Sequence, residues 1–378
     1  MYSETSISRK VYTVSPTSYS MELLDITLRE GEQRSGYTYT TEQKIAVAEN
    51  LSELGIEYIQ LGFPVADSQT KEVCADLDIT AKTTGIARAI QKDIDAAADA
   101  GVDVIDLFAP TSDLQRSHIL GVDREELLSR IDASLDYAHE TGREVHFSAM
   151  DGFRTETGFL NEIISRVNAD YVTIADTVGS QTPRMVEETL TDLATDLSQI
   201  GVHFHDDLGL ATANALAASN YGVGKIDVSV AGVGERAGNT ALEEFVIAQS
   251  READFTALGV DEGQLIPALE SILDILDEDI APQKPILGKG VFEHESGLHT
   301  AAMLDTPATF EPFDPADFGG QRHLLFGPST GTGAAKKLLE RANLDPTDNR
   351  IELLLSELEN QNKDLHLKEA VALAKDVR

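Results

Sequence analysis

The sequence predicts a (β/α)8 TIM barrel followed by a small, mainly helical C-terminal subdomain. About eight short apolar runs alternate with helical patterns from residue 21 to about residue 255, as expected of a parallel sheet. Polar residues gather at the C-terminal ends of these runs, which share one rim in a barrel. The first run leads into Leu28–Gly31 and not into a glycine-rich fingerprint, which disfavours the rival doubly wound open sheet.

Local signals frame several of the predicted helices. Thr40 or Thr41 caps a helix that ends at Gly55. Asp123 begins a capping box for a second helix, and Pro183 stands at the first position of a third. The predicted strands cover residues 21–27, 56–63, 79–87, 102–109, 144–149, 170–175, the run that begins at 202, and 226–231.

The alternation of strands and helices stops after about residue 255. A helix is predicted over 261–276, and a connector rich in Pro and Gly follows at 282–290. Three short helices are predicted near 333–342, 350–360 and 367–377. The chain therefore divides into a flexible N-terminal segment (1–20), a catalytic barrel (21–280) and a linker with a helical accessory subdomain (281–378).

The composition restricts the class of protein. Asp and Glu number 65 against 30 Lys and Arg, and the net charge of −35 is spread along the chain. Such a surface disfavours binding to nucleic acid or to anionic lipid. It is typical of a salt-adapted (halophilic) protein, although an acidic mesophilic protein shares the pattern. The chain has one cysteine, Cys74, and it shows neither a signal-peptide pattern nor an apolar run long enough to span a membrane. These three features predict a cytoplasmic protein.

Two histidines, His203 and His205, stand two residues apart in an apolar, β-branched run. Because strand side chains alternate, both imidazoles project from one face. Placed so, they can bind one cation and leave positions free for a carboxylate and for substrate. The alternative is that one imidazole points into the core and the other caps the strand.

Four motifs then occur in one order along the chain. They are Asp25–Gln33 (DITLREGEQ), His203–Ala211 (HFHDDLGLA), Gly232–Asn239 (GVGERAGN) and His294–His299 (HESGLH). Together with Ala175–Gly179 they resemble the 2-isopropylmalate synthase and homocitrate synthase family of metal-dependent barrel enzymes, from residue 21 to about residue 345. The resemblance implies a condensation of acetyl-CoA with a 2-oxo acid that releases CoA. It also implies a divalent metal ion (Mg, Mn or Zn) and a homodimer.

The resemblance assigns roles to individual residues. A cation that chelates the 2-oxo acid would polarise its ketone, and an arginine beside it would stabilise the alkoxide. A base must take a proton from the acetyl methyl group. The implied metal ligands are Glu30, His203, His205 and Asn239. The implied catalytic residues are Arg29, His299 as the base and Glu295 as its orienting group. The predicted substrate-binding residues are Gln33, His146, Arg154 and Thr177.

The sequence departs from the family pattern at several positions. Phe310 replaces a tyrosine that assists deprotonation, and Met150 stands where an acidic residue is common. His146 occupies the position where homocitrate synthases place an arginine for a distal carboxylate. We therefore expect 2-oxoglutarate to have no large advantage, unless Arg154 swings in to bind it. The oxo acid (2-oxoisovalerate, 2-oxoglutarate or pyruvate) stays open at this point.

Three other functions fit part of the sequence. Two histidines and a carboxylate also form the metal triad of non-haem iron oxygenases. A carbon–carbon lyase or aldolase of the same barrel superfamily would share the metal motif but lacks the segment His294–His299. A catalytically weakened paralogue with a regulatory role would account for Phe310.

Overall fold

A computed structural model describes residues 21–252, 258–295, 297–361 and 363–377; the predicted N-terminal segment 1–20 lies outside the described residues. Eight parallel strands close into a barrel in sequence order, and the first strand pairs with both the second and the eighth. The predicted barrel is therefore confirmed. Its strands are β1 (Glu22–Asp25), β2 (Tyr58–Gly62), β3 (Lys82–Arg88), β4 (Val104–Pro110), β5 (Glu144–Met150), β6 (Tyr171–Asp176), β7 (Ile200–Phe204) and β8 (Lys225–Val228).

Helices surround the strands and bury their apolar faces against them. Within the part of the chain that the structure describes, the helices up to residue 276 are α1 (Thr27–Glu32), α2 (Thr41–Leu54), α3 (Gln69–Asp76), α4 (Gln91–Ala100), α5 (Asp113–Gln115), α6 (Arg124–Glu140), α7 (Thr157–Arg166), α8 (Pro183–Thr191), α9 (Ala211–Ser219), α10 (Leu242–Gln249) and α11 (Leu265–Leu276). The predicted alternation requires a helix after each strand, and α7 and α9 take these places after β5 and β7, where no bounds were predicted.

The predicted helix signals act as expected. Thr40 Oγ1 accepts a hydrogen bond from the Gln43 backbone N–H at 3.2 Å, and Gln43 Oε1 accepts one from the Thr40 N–H at 2.9 Å. Gly55 ends this helix with a positive φ of 97°. The side chains of Asp123 and Thr182 accept hydrogen bonds from the Glu126 and Met185 backbone N–H groups at the starts of α6 and α8, at 2.9 and 3.4 Å. For Asp123 this is one of the two hydrogen bonds of the predicted capping box. These satisfied helix ends explain why the helices begin and end where the sequence indicates.

The first strand is shorter than predicted, and this affects the site. The strand β1 ends at Asp25, whose carboxylate accepts a hydrogen bond from the Thr27 N–H at 2.9 Å. This contact turns the chain into α1 two residues before the predicted strand end. Arg29 and Glu30 therefore lie on a helical turn above the strand, with Glu30 buried.

The region after residue 290 has a second, smaller core. Met303, Phe326, Leu338 and Leu354 are buried in it. Three short strands, β9 (Glu293–His294), β10 (His323–Phe326) and β11 (Leu365–His366), form a sheet in the order β11-β10-β9, which was not predicted. The helices are α12 (Gly297–Met303), α13 (Thr332–Arg341), α14 (Asp348–Glu359) and α15 (Leu367–Asp376), and the last three match the predicted positions.

The division at residues 20 and 280 stays a prediction. Among the described residues, no helix combines the length and the apolar character needed to cross a membrane.

Candidate active site

A cavity of about 230 Å³ lies at the C-terminal ends of the barrel strands. One side, which we call the metal side, is formed by Glu30, His203 and His205 together with Arg29, Gln33 and Thr177. Its opposite side, which we call the far wall, comes from strands β2 to β5. The far wall consists of Gln60, Ile86, Asp106, Phe108, Ser148 and Met150.

The metal side brings three predicted ligands together. One ligand atom from each of Glu30, His203 and His205 lies within 4.8 Å of the others, and all three side chains are buried. The two imidazole centroids are 4.9 Å apart, because β7 directs both rings to the inside of the barrel. Burial alone would raise the pKa of Glu30, but Arg29 and the two histidines lower it to about 2. Burial and the neighbouring His203 lower the pKa of His205 to about 3.

These residues fit a divalent metal ion. An ionised carboxylate and a neutral imidazole are the forms that coordinate a cation. His203 Nδ1 lies 3.3 Å from Asp227 Oδ2, which leaves its Nε2 available. Within the described part of the chain, His205 Nδ1 and Asn239 Oδ1 are buried without a hydrogen-bond partner, which leaves both atoms available to a ligand. The mixture of nitrogen and oxygen donors suits Zn, Mn or Mg.

Asp227 is itself held by a buried lysine. Lys225 is fully buried, and its Nζ lies 3.5 Å from Asp227 Oδ1. Burial alone would raise the pKa of Asp227, but Lys225 and His203 lower it. A charged Asp227 therefore fixes the orientation of the His203 ring.

Asn239 reaches the metal side through a glycine-rich loop. Its backbone pairs with His205 in an isolated β-bridge. A Cβ atom on Gly234 would lie 1.9 Å from Asn239 Nδ2 and 3.4 Å from Glu30 Cβ. Gly238 has a φ of 95°, and a Cβ there would meet the Gly232 carbonyl oxygen at 2.0 Å. Only glycine at these two positions lets the loop approach the ligands so closely.

Arg29 and Gln33 extend the metal side. The Arg29 guanidinium contacts the Glu30 carboxylate, and its Nε donates to Gln60 Oε1 at 2.6 Å. With its amide oriented to satisfy both neighbours, Gln33 donates to Glu30 Oε2 at 3.2 Å and accepts from Arg29 at 3.2 Å. The guanidinium is thus fixed from two sides at the edge of the cavity.

Thr177 is positioned by the loops around it. Its Oγ1 accepts a hydrogen bond from the Asp151 N–H at 2.8 Å, which leaves the hydroxyl proton free to be donated. Arg236 donates to the Thr177 carbonyl oxygen at 2.8 Å and to both carboxylate oxygens of Asp207 at 2.9 Å. Arg236 therefore joins the loops that follow β6, β7 and β8.

The structure corrects the prediction for His146. His146 is the third residue of β5, is fully buried, and is absent from the residues that line the cavity in the described chain. Its Nε2 lies 3.0 Å from Glu144 Oε1, and its ring packs against Tyr58 and Tyr171 at 5.2 Å. Because β5 continues to Met150, the strand end lies four residues beyond His146. The predicted place of His146 at the strand end is therefore wrong, while its role in substrate binding stays a prediction.

Arg154 and His299, the predicted base, are also absent from the residues that line the cavity in the described chain. Arg154 donates to both carboxylate oxygens of Asp151, at 2.7 and 2.8 Å. His299 stacks on Phe310 with ring centroids 3.9 Å apart. Glu295 Oε1 accepts a hydrogen bond from Ser329 Oγ at 2.8 Å, so it is engaged within the accessory region.

Sequence reasoning missed several residues of the site. Asp227, Gln60, Asp106 and Ser148 all lie within barrel strands and face the interior. The signal that could have revealed them is a polar residue inside an otherwise apolar strand. A residue two positions away from a side chain that faces the barrel interior faces the interior as well. Such residues are costly to bury unless they serve a site or pair with each other.

Comparison with known proteins decides the family. The HMGL-like family model matches residues 20–272. The chain belongs to the HMGL-like family. A second model, described as the homocitrate synthase post-HMGL domain-like family, matches residues 286–365. Together these matches confirm the resemblance to the homocitrate synthase and 2-isopropylmalate synthase family.

Relatives within the family carry two names. The chain is 38% identical to homocitrate synthase AksA of Methanopyrus kandleri, over 88% of this chain and 86% of the relative. It is 35% identical to a probable 2-isopropylmalate synthase of the same organism, over 94% and 73%, and 33% identical to 2-isopropylmalate synthase of Sulfurisphaera tokodaii, over 91% of each. The solved HMG-CoA lyase of Bacillus subtilis shares the fold, with a TM-score of 0.63, 20% identity and coverage of 71% of this chain and 97% of that chain.

Proposed function

We propose that this member of the family catalyses a metal-dependent condensation of acetyl-CoA with a 2-oxo acid, giving a 2-hydroxy dicarboxylate or tricarboxylate and CoA. The buried cluster of Glu30, His203 and His205 at the edge of the cavity carries this proposal. The names of the relatives support it, since homocitrate and 2-isopropylmalate synthases match most of the chain. Those names do not choose between a charged and an uncharged 2-oxo acid.

The residues on the metal side have complementary roles in such a reaction. A divalent cation held by Glu30, His203 and His205, with Asn239 as a further contact, would supply Lewis-acid activation of the ketone. Arg29, fixed by Gln60, is placed to stabilise negative charge on the former ketone oxygen. The free hydroxyl proton of Thr177 and the amide of Gln33 are proposed to bind the substrate carboxylate.

The proton of the acetyl methyl group requires a base, and we propose His299 for this role. His299 takes the methyl proton, the methyl carbon forms a bond to the ketone carbon, and the former ketone oxygen gains a proton. Water then hydrolyses the thioester to a carboxylate and the CoA thiol. Because His299 lies outside the cavity, it has to arrive by movement of the accessory region or from the second copy in the expected homodimer.

The test is thiol release from acetyl-CoA with a panel of 2-oxo acids, in the presence of Mg²⁺, Mn²⁺ or Zn²⁺. We expect release that depends on both the 2-oxo acid and the metal, and that a chelator abolishes. A folded, metal-loaded protein that releases no thiol with any 2-oxo acid would overturn the proposal. Quantifying the condensed hydroxy acid by mass separates true condensation from simple thioester hydrolysis.

A further inference from the structure

The far wall has an unusual distribution of polar and apolar groups. Ile86, Phe108 and Met150 present apolar surface to the cavity. Between them lies Asp106, which is 3% exposed. Its Oδ1 accepts a hydrogen bond from Ser148 Oγ at 2.8 Å, and its Oδ2 accepts one from Gln60 Nε2 at 3.3 Å. Among the described residues that form this wall, the only one with an ionisable side chain is therefore an acid.

The basic side chains that the structure describes near this wall have other partners; Lys225, for example, is fully buried and its Nζ lies 3.5 Å from Asp227 Oδ1. Arg29 is bound by Glu30 and Gln60 on the metal side. Arg154 donates to both oxygens of Asp151, and Arg88 likewise donates to both oxygens of Asp93. His146 lies deeper in the barrel and is paired with Glu144. Among the residues that line the cavity in the described chain, no basic side chain belongs to the far wall.

The position of the substrate follows from the proposed function. The metal side would hold the carboxylate and the ketone of the 2-oxo acid. Its side chain, on the other side of the carbonyl carbon, then extends toward the far wall. A second carboxylate there would lose water, meet apolar side chains and face Asp106 without a cation to pair with. A hydrocarbon side chain would instead pack on Ile86, Phe108 and Met150.

We infer that this site takes a 2-oxo acid whose side chain is uncharged and apolar, of the 2-oxoisovalerate type, and that the far wall rejects acids with a distal carboxylate. This inference rests on the proposed function and deepens it. It is argued from the residues that line the cavity and not from His146, which lies outside that lining in the described chain. Phe108, Met150 and Asp106 become the residues that determine specificity.

The primary experiment measures kcat/KM for 2-oxoisovalerate and for 2-oxoglutarate at saturating acetyl-CoA. We expect a preference for 2-oxoisovalerate of at least about a hundredfold, because burying an unpaired charge carries a large penalty. Equal values, or a preference for 2-oxoglutarate, would overturn the inference and leave the proposed function standing. Failure of every 2-oxo acid would instead overturn the proposed function itself.

Variants of the far wall test its role directly. Met150→Arg places a cation on the wall and should raise the ratio of 2-oxoglutarate to 2-oxoisovalerate activity by at least about tenfold, the scale of one charge-assisted contact. Met150→Leu is the matched control for packing and should leave that ratio nearly unchanged. If Met150→Arg does not fold, the isosteric change Asp106→Asn removes the acidic charge and should raise the same ratio. An unchanged ratio in the folded variants would overturn the inference.

Discussion

The barrel buries histidines beside carboxylates at both of its ends, but the two groups differ in how their nitrogen and oxygen atoms are arranged. At the C-terminal end, ligand atoms of Glu30, His203 and His205 converge within 4.8 Å. The N-terminal end holds a second group, which we call the floor cluster. It consists of Glu22, Tyr58, Lys82, Glu144, His146 and Tyr171.

In the floor cluster the carboxylates are bound by neighbouring donors. Glu144 is contacted by Tyr58 at 2.9 Å, by Lys82 at 2.8 Å and by His146 at 3.0 Å. Glu22 accepts from Tyr171 at 2.6 Å. A carboxylate with three donors has little capacity left for a ligand. Among the described residues His146 Nδ1, like His205 Nδ1, has no hydrogen-bond partner, so a free ring nitrogen does not by itself mark a ligand site. The difference teaches that a buried histidine marks a ligand site where further ligand atoms converge on it, as Glu30, His203 and His205 do within 4.8 Å.

The largest expected effect separates these two roles. His203→Ala combined with His205→Ala should remove bound divalent metal and abolish thiol release, since two of the three clustered ligands are lost. His146→Ala in the floor cluster is the matched control. It should retain the metal and lose about 1–3 kcal/mol of unfolding free energy, because Glu144 is left without one buried partner. Metal content by elemental analysis and denaturant unfolding measure the two quantities.

Full metal content in the double variant would contradict the assignment of the site. Loss of metal from His146→Ala would contradict the separation between the two ends of the barrel.

The next effect tests whether Asp227 belongs functionally to the metal side. Asp227→Asn removes the charge that orients His203 and should weaken metal affinity by about 10- to 100-fold, the usual cost of losing a carboxylate behind a histidine ligand. Asp93→Asn is the control, because Asp93 of α4 is also buried but pairs with Arg88 at the end of β3. Metal titration followed by competition with a chelator gives both dissociation constants. If Asp227→Asn bound the metal as tightly as Asp93→Asn does, Lys225 and Asp227 would serve the core alone.

The same contrast explains what the sequence could and could not predict. The metal ligands and the Gly234 loop lie in short local motifs at strand ends, so their clustering follows from the barrel topology. His146 was misplaced because its role depends on the exact length of β5, which local patterns do not define. Asp227 and Asp106 were missed because they have partners on other strands, His203 of β7 for Asp227 and Gln60 of β2 for Asp106. The position of His299 depends on how the accessory region packs, which no local pattern reports.

The smallest expected effect concerns the surface, which differs from both buried groups in its exposure to salt. The chain carries 65 acidic against 30 basic residues, and this excess repels itself in the folded state. The screening length falls from about 10 Å at 0.1 M salt to about 3 Å at 1 M. The thermal midpoint should therefore rise by several degrees between these KCl concentrations. Salt screens buried contacts much less. The thermal midpoint of His146→Ala should therefore lie below that of the parent protein by the same amount at both concentrations. A thermal midpoint that stays flat or falls with salt would contradict the salt-adapted interpretation. A difference between His146→Ala and the parent protein that shrinks in salt would show that charges exposed to solvent stabilise the floor cluster.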